Sequence, residues 1–308
     1  MLVVCYHAVS AGWRSPLAVS PDRLDQQVRH LLGRGYVPAT FTRAVLDPPA
    51  RRTLAVTFDD AFRSVRDVAL PVLRRLGVPA TVFVPTARVG GEGPMTWPGL
   101  EPWARGDGAS ELEGLRWPEL RALADAGWEI GSHSRTHPRL TELADDALAE
   151  ELAGSRTACT AATGRPCDAL AYPYGAVDRR VVAAAAAAGY RAAASPPGPP
   201  LGPRALAFPR SGLYERDAGL RLRVKASPAI RRLQRSPAWA PVARVAGAIG
   251  EGVPVRGRRP CHRRWRGRRP HSPTARATRA TGAQAGERCN RRMAGDALTR
   301  RRRPASRS

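Results

Sequence analysis

Short apolar runs alternate with amphipathic stretches along the first 235 or so residues of this 308-residue chain, and that alternation constrains the fold more than any other feature. Leu2 to Tyr6, Leu54 to Phe58, Ala80 to Val84, Trp128 to Gly131 and Ala169 to Tyr172 read as strands. Tyr190 to Ala194 and Ala205 to Phe208 are shorter candidates, separated by the Pro-rich turn Ser195 to Pro203. Between them lie helices with recognisable ends. One starts at Ser20-Pro21-Asp22, a cap followed by Pro in the first turn, and stops at Gly33-Arg34-Gly35. Others run up to Leu76 and Gly77, over Pro118 to Ala126, over Thr141 to Ala162, and from Asp178 through the alanine run to Ala188 before Gly189. Strands alternating with helices predict a parallel α/β sheet or barrel and exclude collagen, coiled-coil and wholly disordered classes. The Gly-, Pro- and Trp-rich stretch from Pro85 to Leu115 is a loop, and loops that long in compact domains are usually functional or mobile. A basic amphipathic helix around Leu220 to Leu233 is expected to close the fold.

Apolar periodicity stops near Gly250, which divides the chain into a folded domain, 1–250, and a disordered basic tail, 251–308. The formal charge of +24 is concentrated there: from Arg256 to Ser308 there are 18 arginines against Glu287 and Asp296. One reading is a segment that binds nucleic acid or an anionic surface by counterion release, although only Trp265 is available for stacking. The other is that Arg, Pro, Ala and Gly in irregular order are what G+C-rich DNA encodes out of frame. Lys225, alone among 50 basic residues in being lysine, points to the same base composition. The second reading is preferred, so no specific nucleic-acid partner is expected. Five cysteines, an odd number without any C-x-x-C pair, argue against a disulfide framework and against a zinc finger. No stretch reaches the roughly 20 apolar residues of a bilayer span, and Met1 to His7 lacks the basic start and apolar core of a signal peptide. The expected location is cytoplasmic, with envelope association the alternative if the chain begins further upstream.

Three segments at expected strand ends concentrate reactive side chains. Thr57-Phe58-Asp59-Asp60 places two aspartates where a strand breaks into a loop, the only place where adjacent residues share one side; the plainer reading is a helix cap. Gly131-Ser132-His133-Ser134-Arg135-Thr136-His137-Pro138 carries two histidines four apart on a loop. Together with a strand-end Asp they form a two-imidazole, one-carboxylate set that leaves a metal open to water or substrate, where two surface histidines would be the bland alternative. The same ligands also suit non-haem iron oxygenases. Ala171-Tyr172-Pro173-Tyr174-Gly175 is an aromatic turn able to present backbone N–H groups, or an ordinary strand-to-helix turn.

These three segments, in this order and spacing, resemble the polysaccharide deacetylases, also called the NodB-homology or carbohydrate esterase family 4 enzymes, over about residues 1 to 235. The resemblance implies a distorted (β/α) barrel with fewer than eight strands and a divalent metal, most simply zinc, on Asp60, His133 and His137. It further implies Asp59 as the base that deprotonates water, the backbone N–H of Tyr174 as an oxyanion donor, and an N-acetylated glycan as substrate. The A-Y-P-Y-G form is similar to the subgroup acting on exported poly-N-acetylglucosamine. Much of the family has an arginine at the position of Ala171 that orients the catalytic Asp, and Gly at the position of Ala61. The family's late leucine and histidine motif is missing here. In the exopolysaccharide subgroup an early histidine acts as general acid, and the Tyr6-His7 pair resembles it. Of the remaining histidines, His262 and His271 fall in the tail and His30 on the first helix. A buried structural histidine is the alternative for His7. The implied function is metal-dependent N-deacetylation of an amino sugar in a polysaccharide or glycan precursor; the alternative is a non-catalytic glycan-binding relative. Trp97, Trp103 and Trp117 are a candidate sugar platform, or simply the packing of the long loop.

Overall fold

Eleven strands form among the described residues: β1 (Leu2–Tyr6), β2 (Ala8–Val9), β3 (Ala18–Val19), β4 (Val37–Pro38), β5 (Thr53–Phe58), β6 (Ala80–Val84), β7 (Glu129–Ser132), β8 (Ala169–Ala171), β9 (Ala192–Ser195), β10 (Phe208–Pro209) and β11 (Ser211–Gly212). The computed structural model describes residues 1–233 and Ser236, apart from Asp107. The expected boundary near Gly250 and the basic tail lie outside the described residues. The main sheet runs β10-β9-β8-β7-β6-β5-β1-β11 with β4 added beside β5, and β2 pairs with β3 separately. Its pairings are parallel, as a strand and helix alternation requires.

Eight strands along one path make a nearly closed barrel, where the resemblance implied fewer than eight. The reason lies in a single stretch, Phe208 to Gly212. Its first two residues pair with β9 and its last two with β1, so one segment supplies both ends of the ladder. Arg210 sits at the crossing, its backbone N–H donating to Ser195 O at 3.0 Å. Both sheet edges are thereby paired, which removes the exposed edge an open sheet would carry.

Alternation along each strand sorts residues into two layers. Leu2, Val4, Tyr6, Leu54, Val56, Phe58, Val82 and Val84 pack outward with the helical residues Leu24, Val28, Leu31, Leu120, Leu123 and Leu152. Val3, Ala55, Phe83, Ala169, Ala171, Ala192, Ala194 and Phe208 pack together in a second cluster, closed off by Phe41 and Ala44. Many members of that inner row are small, as a narrow barrel interior requires. Gly131 belongs to the same row: a Cβ there would lie 2.7 Å from Phe83 Cδ1 and 3.0 Å from Ala169 Cβ.

Helix Pro21–Leu32 forms as its ends predict, with the Ser20 side chain accepting from Arg23 N–H and Gly33 as C-cap. Helix Asp145–Thr163 begins later than expected because Leu140–Glu142 is a separate 3-10 turn. The basic segment is two helices, Gly219–Ala226 and Pro228–Leu233, since Pro228 pushes Ser227 out of helical geometry. Only Leu222 and Ala226 of the first are buried, and Leu220 is 75% exposed, so this segment covers the barrel less completely than its sequence pattern predicts. Ala205 to Phe208 is mostly a 3-10 turn, with strand only from Phe208. Among the described residues, no helix is long and apolar enough to cross a membrane.

Candidate active site

The inner row continues upward into chemistry. Two residues beyond Val3 comes Cys5, and beyond it His7; beyond Ala55 come Thr57 and Asp59; beyond Gly131 comes His133. The period of two that lines the barrel therefore delivers these side chains to one place at the carboxyl ends of the strands. Cys5, His7, Asp59 and His133 line a cavity of about 330 Å³ together with Asp60, Trp97, His137, Tyr174 and Arg210. All six residues expected from the sequence, His7, Asp59, Asp60, His133, His137 and Tyr174, are brought together.

Backbone geometry explains how the loops turn at these points. Asp60, Ala61, Ser134, His137 and Tyr174 have positive φ of 54° to 70°, and among the described residues these are the non-glycine positions that do. Four of them fall in the three segments, and Ala61 directly follows the first. Left-handed backbone costs an L-residue about 1 kcal/mol or more, and it persists where surrounding contacts over-determine it. Around the histidine loop those contacts are explicit. Ser134 N–H donates to Ser132 Oγ, Ser155 Oγ donates to Ser134 O, and His137 N–H donates to Ser134 Oγ. From the flank, Glu151 accepts from Arg135 N–H, Thr136 N–H and the Thr136 hydroxyl. The loop is held from both sides before any ligand arrives.

Asp60 Oδ1 lies 3.5 Å from both His133 Nε2 and His137 Nε2. Ligand bonds of 2.0 to 2.2 Å in a tetrahedral site put donors about 3.4 Å apart, so this spacing fits a divalent metal. Two further observations agree. His133 Nδ1 is 2.8 Å from Ala171 O, which fixes the tautomer with its Nε2 lone pair free. Asp60 Oδ1 is buried without a hydrogen-bond partner among the described residues. Burial pushes the Asp60 carboxyl well above the usual range, and the Asp59 charge pushes the same way. Burial lowers both ligand histidines, leaving them neutral as ligation requires. A buried carboxylate beside another is relieved by a cation between these donors.

Asp59 is treated differently. Burial disfavours its charge, yet Arg210, helped by His133 and His7, outweighs that and holds its carboxyl well below the ordinary range. Arg210 Nη1 donates to Oδ1 at 2.6 Å and its Nη2 donates to Oδ2, a two-pronged clamp. Asp59 Oδ2 lies 3.8 Å from His133 Nε2 and 4.0 Å from His7 Nε2. Burial pulls His7 down to about 4, with Asp59 opposing and Arg210 and His133 reinforcing.

Arg210 is the site residue that sequence reasoning missed. It follows Phe208-Pro209 directly, but one arginine among 50 basic residues stands out only once the barrel is seen to close there. It makes the contact to Asp59 that the resemblance implies for an arginine at the position of Ala171, whose own side chain is buried in the inner row. The tryptophan platform is corrected. Trp97 does line the cavity, its ring stacked on His137 at 4.4 Å. Trp103 packs edge-on against Trp13, and Trp117 against the outer core, as loop packing predicts. The Tyr174 ring also meets His137, at 4.6 Å, and the Arg139 guanidinium lies over the Tyr174 ring.

The nearly closed parallel barrel with its surrounding helices matches the NodB-type (β/α) barrel fold. Residues 47–193 match the polysaccharide deacetylase family model. A curated relative, the candidate polysaccharide deacetylase YxkH of Bacillus subtilis (strain 168), is 23% identical over 178 residues, 56% of each chain; this chain thus spans little more than half the length of that relative. Among solved structures, the Streptococcus pyogenes deacetylase PplD in complex with acetate is 22% identical with a TM-score of 0.60, covering 74% of this chain and 98% of that one. A polysaccharide deacetylase from Bacillus cereus is 25% identical with a TM-score of 0.60, covering 73% and 68%.

Proposed function

We propose that the chain is a metal-dependent hydrolase that removes acetyl groups from an N-acetylated amino sugar in a polysaccharide or glycan precursor. The observation that carries this reading is the position of Asp59: ionised under the Arg210 clamp, and within 4.0 Å of both His133 and His7. Asp60, His133 and His137 would hold the metal, most simply zinc, which when bound supplies Lewis acidity for an amide carbonyl and for water.

The remaining steps belong to the protein. Asp59 accepts the proton of the attacking water at Oδ2. His7, neutral at rest, lacks the imidazolium proton a general acid gives, so the proton reaching the departing amine is the one taken from water, passed from Asp59 Oδ2 to His7 Nε2, 4.0 Å away. The Tyr174 backbone N–H, on the left-handed turn, is assigned to the developing oxyanion. Trp97 and the Tyr174 ring brace His137 and narrow the mouth through which the sugar enters.

The test is acetate release from N-acetylglucosamine oligomers by the full chain loaded with zinc, beside Asp59→Asn and His133→Ala. Loss of activity in both variants, with zinc retained in the first and lost in the second, is the expected result. Stoichiometric zinc binding without acetate from any oligomer would favour the non-catalytic glycan-binding alternative.

A further inference from the structure

Beside the Asp60, His133 and His137 donors lies a second triad built from Cys5, His7 and Asp59, whose ligand atoms all fall within 4.8 Å of one another. We infer that Cys5, His7 and Asp59 form a second, weaker site for a thiophilic divalent cation of the zinc or cadmium class, and that filling it stops the reaction.

Geometry comes first. Cys5 Sγ is 3.6 Å and His7 Nε2 4.0 Å from the same atom, Asp59 Oδ2. Bonds of about 2.3 Å to sulfur and 2.0 to 2.1 Å to nitrogen or oxygen place tetrahedral donors roughly 3.3 to 3.6 Å apart, so small side-chain shifts complete the set. Cys5 and His7 stand two residues apart and both reach the cavity wall, which gives an ion the same way in as a substrate. A carboxylate accepts about four hydrogen bonds. Arg210 takes one on each oxygen, which leaves Asp59 Oδ2 capacity toward the thiol and the imidazole.

Two features make this site the second to fill. Cys5 is buried, and burial keeps its thiol protonated, an effect that Asp59 and Asp60 reinforce and Arg210 opposes. An ion entering with charge +2 therefore releases the thiol proton as its sulfur bond forms. Arg210 already sits on the shared carboxylate, so the ion also meets a neighbouring positive charge. The first triad has no thiol to deprotonate and Arg210 is hydrogen-bonded to none of its donors, although Asp60 must also give up a proton that burial favours. Sulfur ligation favours zinc or cadmium over magnesium or calcium.

The inhibitory consequence rests on the function proposed above. An ion on this triad occupies Asp59 Oδ2 and His7 Nε2, the two atoms that move the proton. Cys5 carries no proton-transfer step in the proposed reaction, and serine at that position keeps a donor toward Asp59 Oδ2 while removing the thiolate.

The experiment titrates the metal-stripped full chain with cobalt(II), counting bound ions and recording the near-ultraviolet thiolate-to-cobalt absorption, with zinc-dependent acetate release measured in parallel. The expected result is two ions per native chain, with the thiolate band arriving only with the second. Cys5→Ser should bind one ion and show no such band. Activity should peak near one zinc per chain and fall at least tenfold as the second binds, while Cys5→Ser stays active in excess zinc. Saturation of the native protein at one ion without a thiolate band overturns the inference, and this outcome needs no variant to fold. A band that survives in Cys5→Ser overturns it as well. Two ions and a Cys5-dependent band without acetate at any metal ratio would keep the site and remove the catalytic reading.

Discussion

Replacing Arg210 with Met removes the charge of the clamp while an unbranched side chain of similar reach keeps the space filled. Asp59 is 5% exposed and Arg210 11%, so the carboxylate left behind has almost no water to turn to. Its escape is to take up a proton, and that limits the loss. Starting from an ordinary carboxyl near 3.9, holding the group neutral costs about 1.36 kcal/mol per pH unit, hence about 4 kcal/mol at pH 7 and about 1.5 kcal/mol at pH 5. The first figure falls within the 3 to 5 kcal/mol typical of removing one partner from a buried pair. The sign follows from linkage. In the native protein the Asp59 carboxyl lies below its unfolded value, so the pair's contribution is present above about pH 4 and lost on acidification. In the variant burial acts without the clamp, the folded carboxyl lies above its unfolded value, and stability is lost as pH rises. The gap between the two proteins must therefore widen from pH 5 to pH 7. Urea unfolding of metal-stripped protein at several pH values measures it, with Asp59→Asn and the double variant completing a cycle. A destabilisation that does not grow with pH, or an Arg210→Met loss equally large in the Asp59→Asn background, would refute the reasoning.

Three further outcomes follow from the loops and the barrel interior. Ala61, at φ 54°, already uses glycine's territory, so Ala61→Gly should leave stability within about 0.5 kcal/mol or raise it, whereas Ala185→Gly, inside helix Arg179–Ala187, should cost about 1 kcal/mol or more; equal losses in thermal unfolding would show that the backbone argument fails. Gly131→Ala drives a methyl group against Phe83 and Ala169 and should cost about 1 to 3 kcal/mol in urea unfolding. Glu151→Ala releases three donors of the histidine loop without touching a metal ligand, so zinc affinity by calorimetric titration should fall about 10- to 100-fold while the fold persists.

Strand positions were legible wherever the apolar run was long. β1 and β6 have the ends their sequences predict, because buried parallel strands are continuous hydrophobic stretches between turn signals. The two-residue strands were not legible. Val37–Pro38 and Ser211–Gly212 carry too few residues for periodicity to register, and their pairing is set by neighbours far along the chain. At the site, residues that cluster locally were found: Asp59 with Asp60, and His133 with His137. Arg210 reaches Asp59 across 151 positions of sequence, and no local pattern encodes such a pairing. Ala61 shows the opposite case, in which a departure visible in the sequence acquires its meaning from a single backbone angle.

The placement of Arg210 on the closing segment also sets an order in time. Synthesis runs from the amino terminus, so Asp59, Asp60, His133 and His137 emerge well before Phe208 to Gly212. A growing chain can assemble the triad of ligands early, but its Asp59 gains a counter-charge only when the last two barrel strands dock. Under the proposed function, readiness to act on substrate is thereby tied to completion: a chain stalled or cut before residue 208 would lack the arginine that keeps Asp59 ionised.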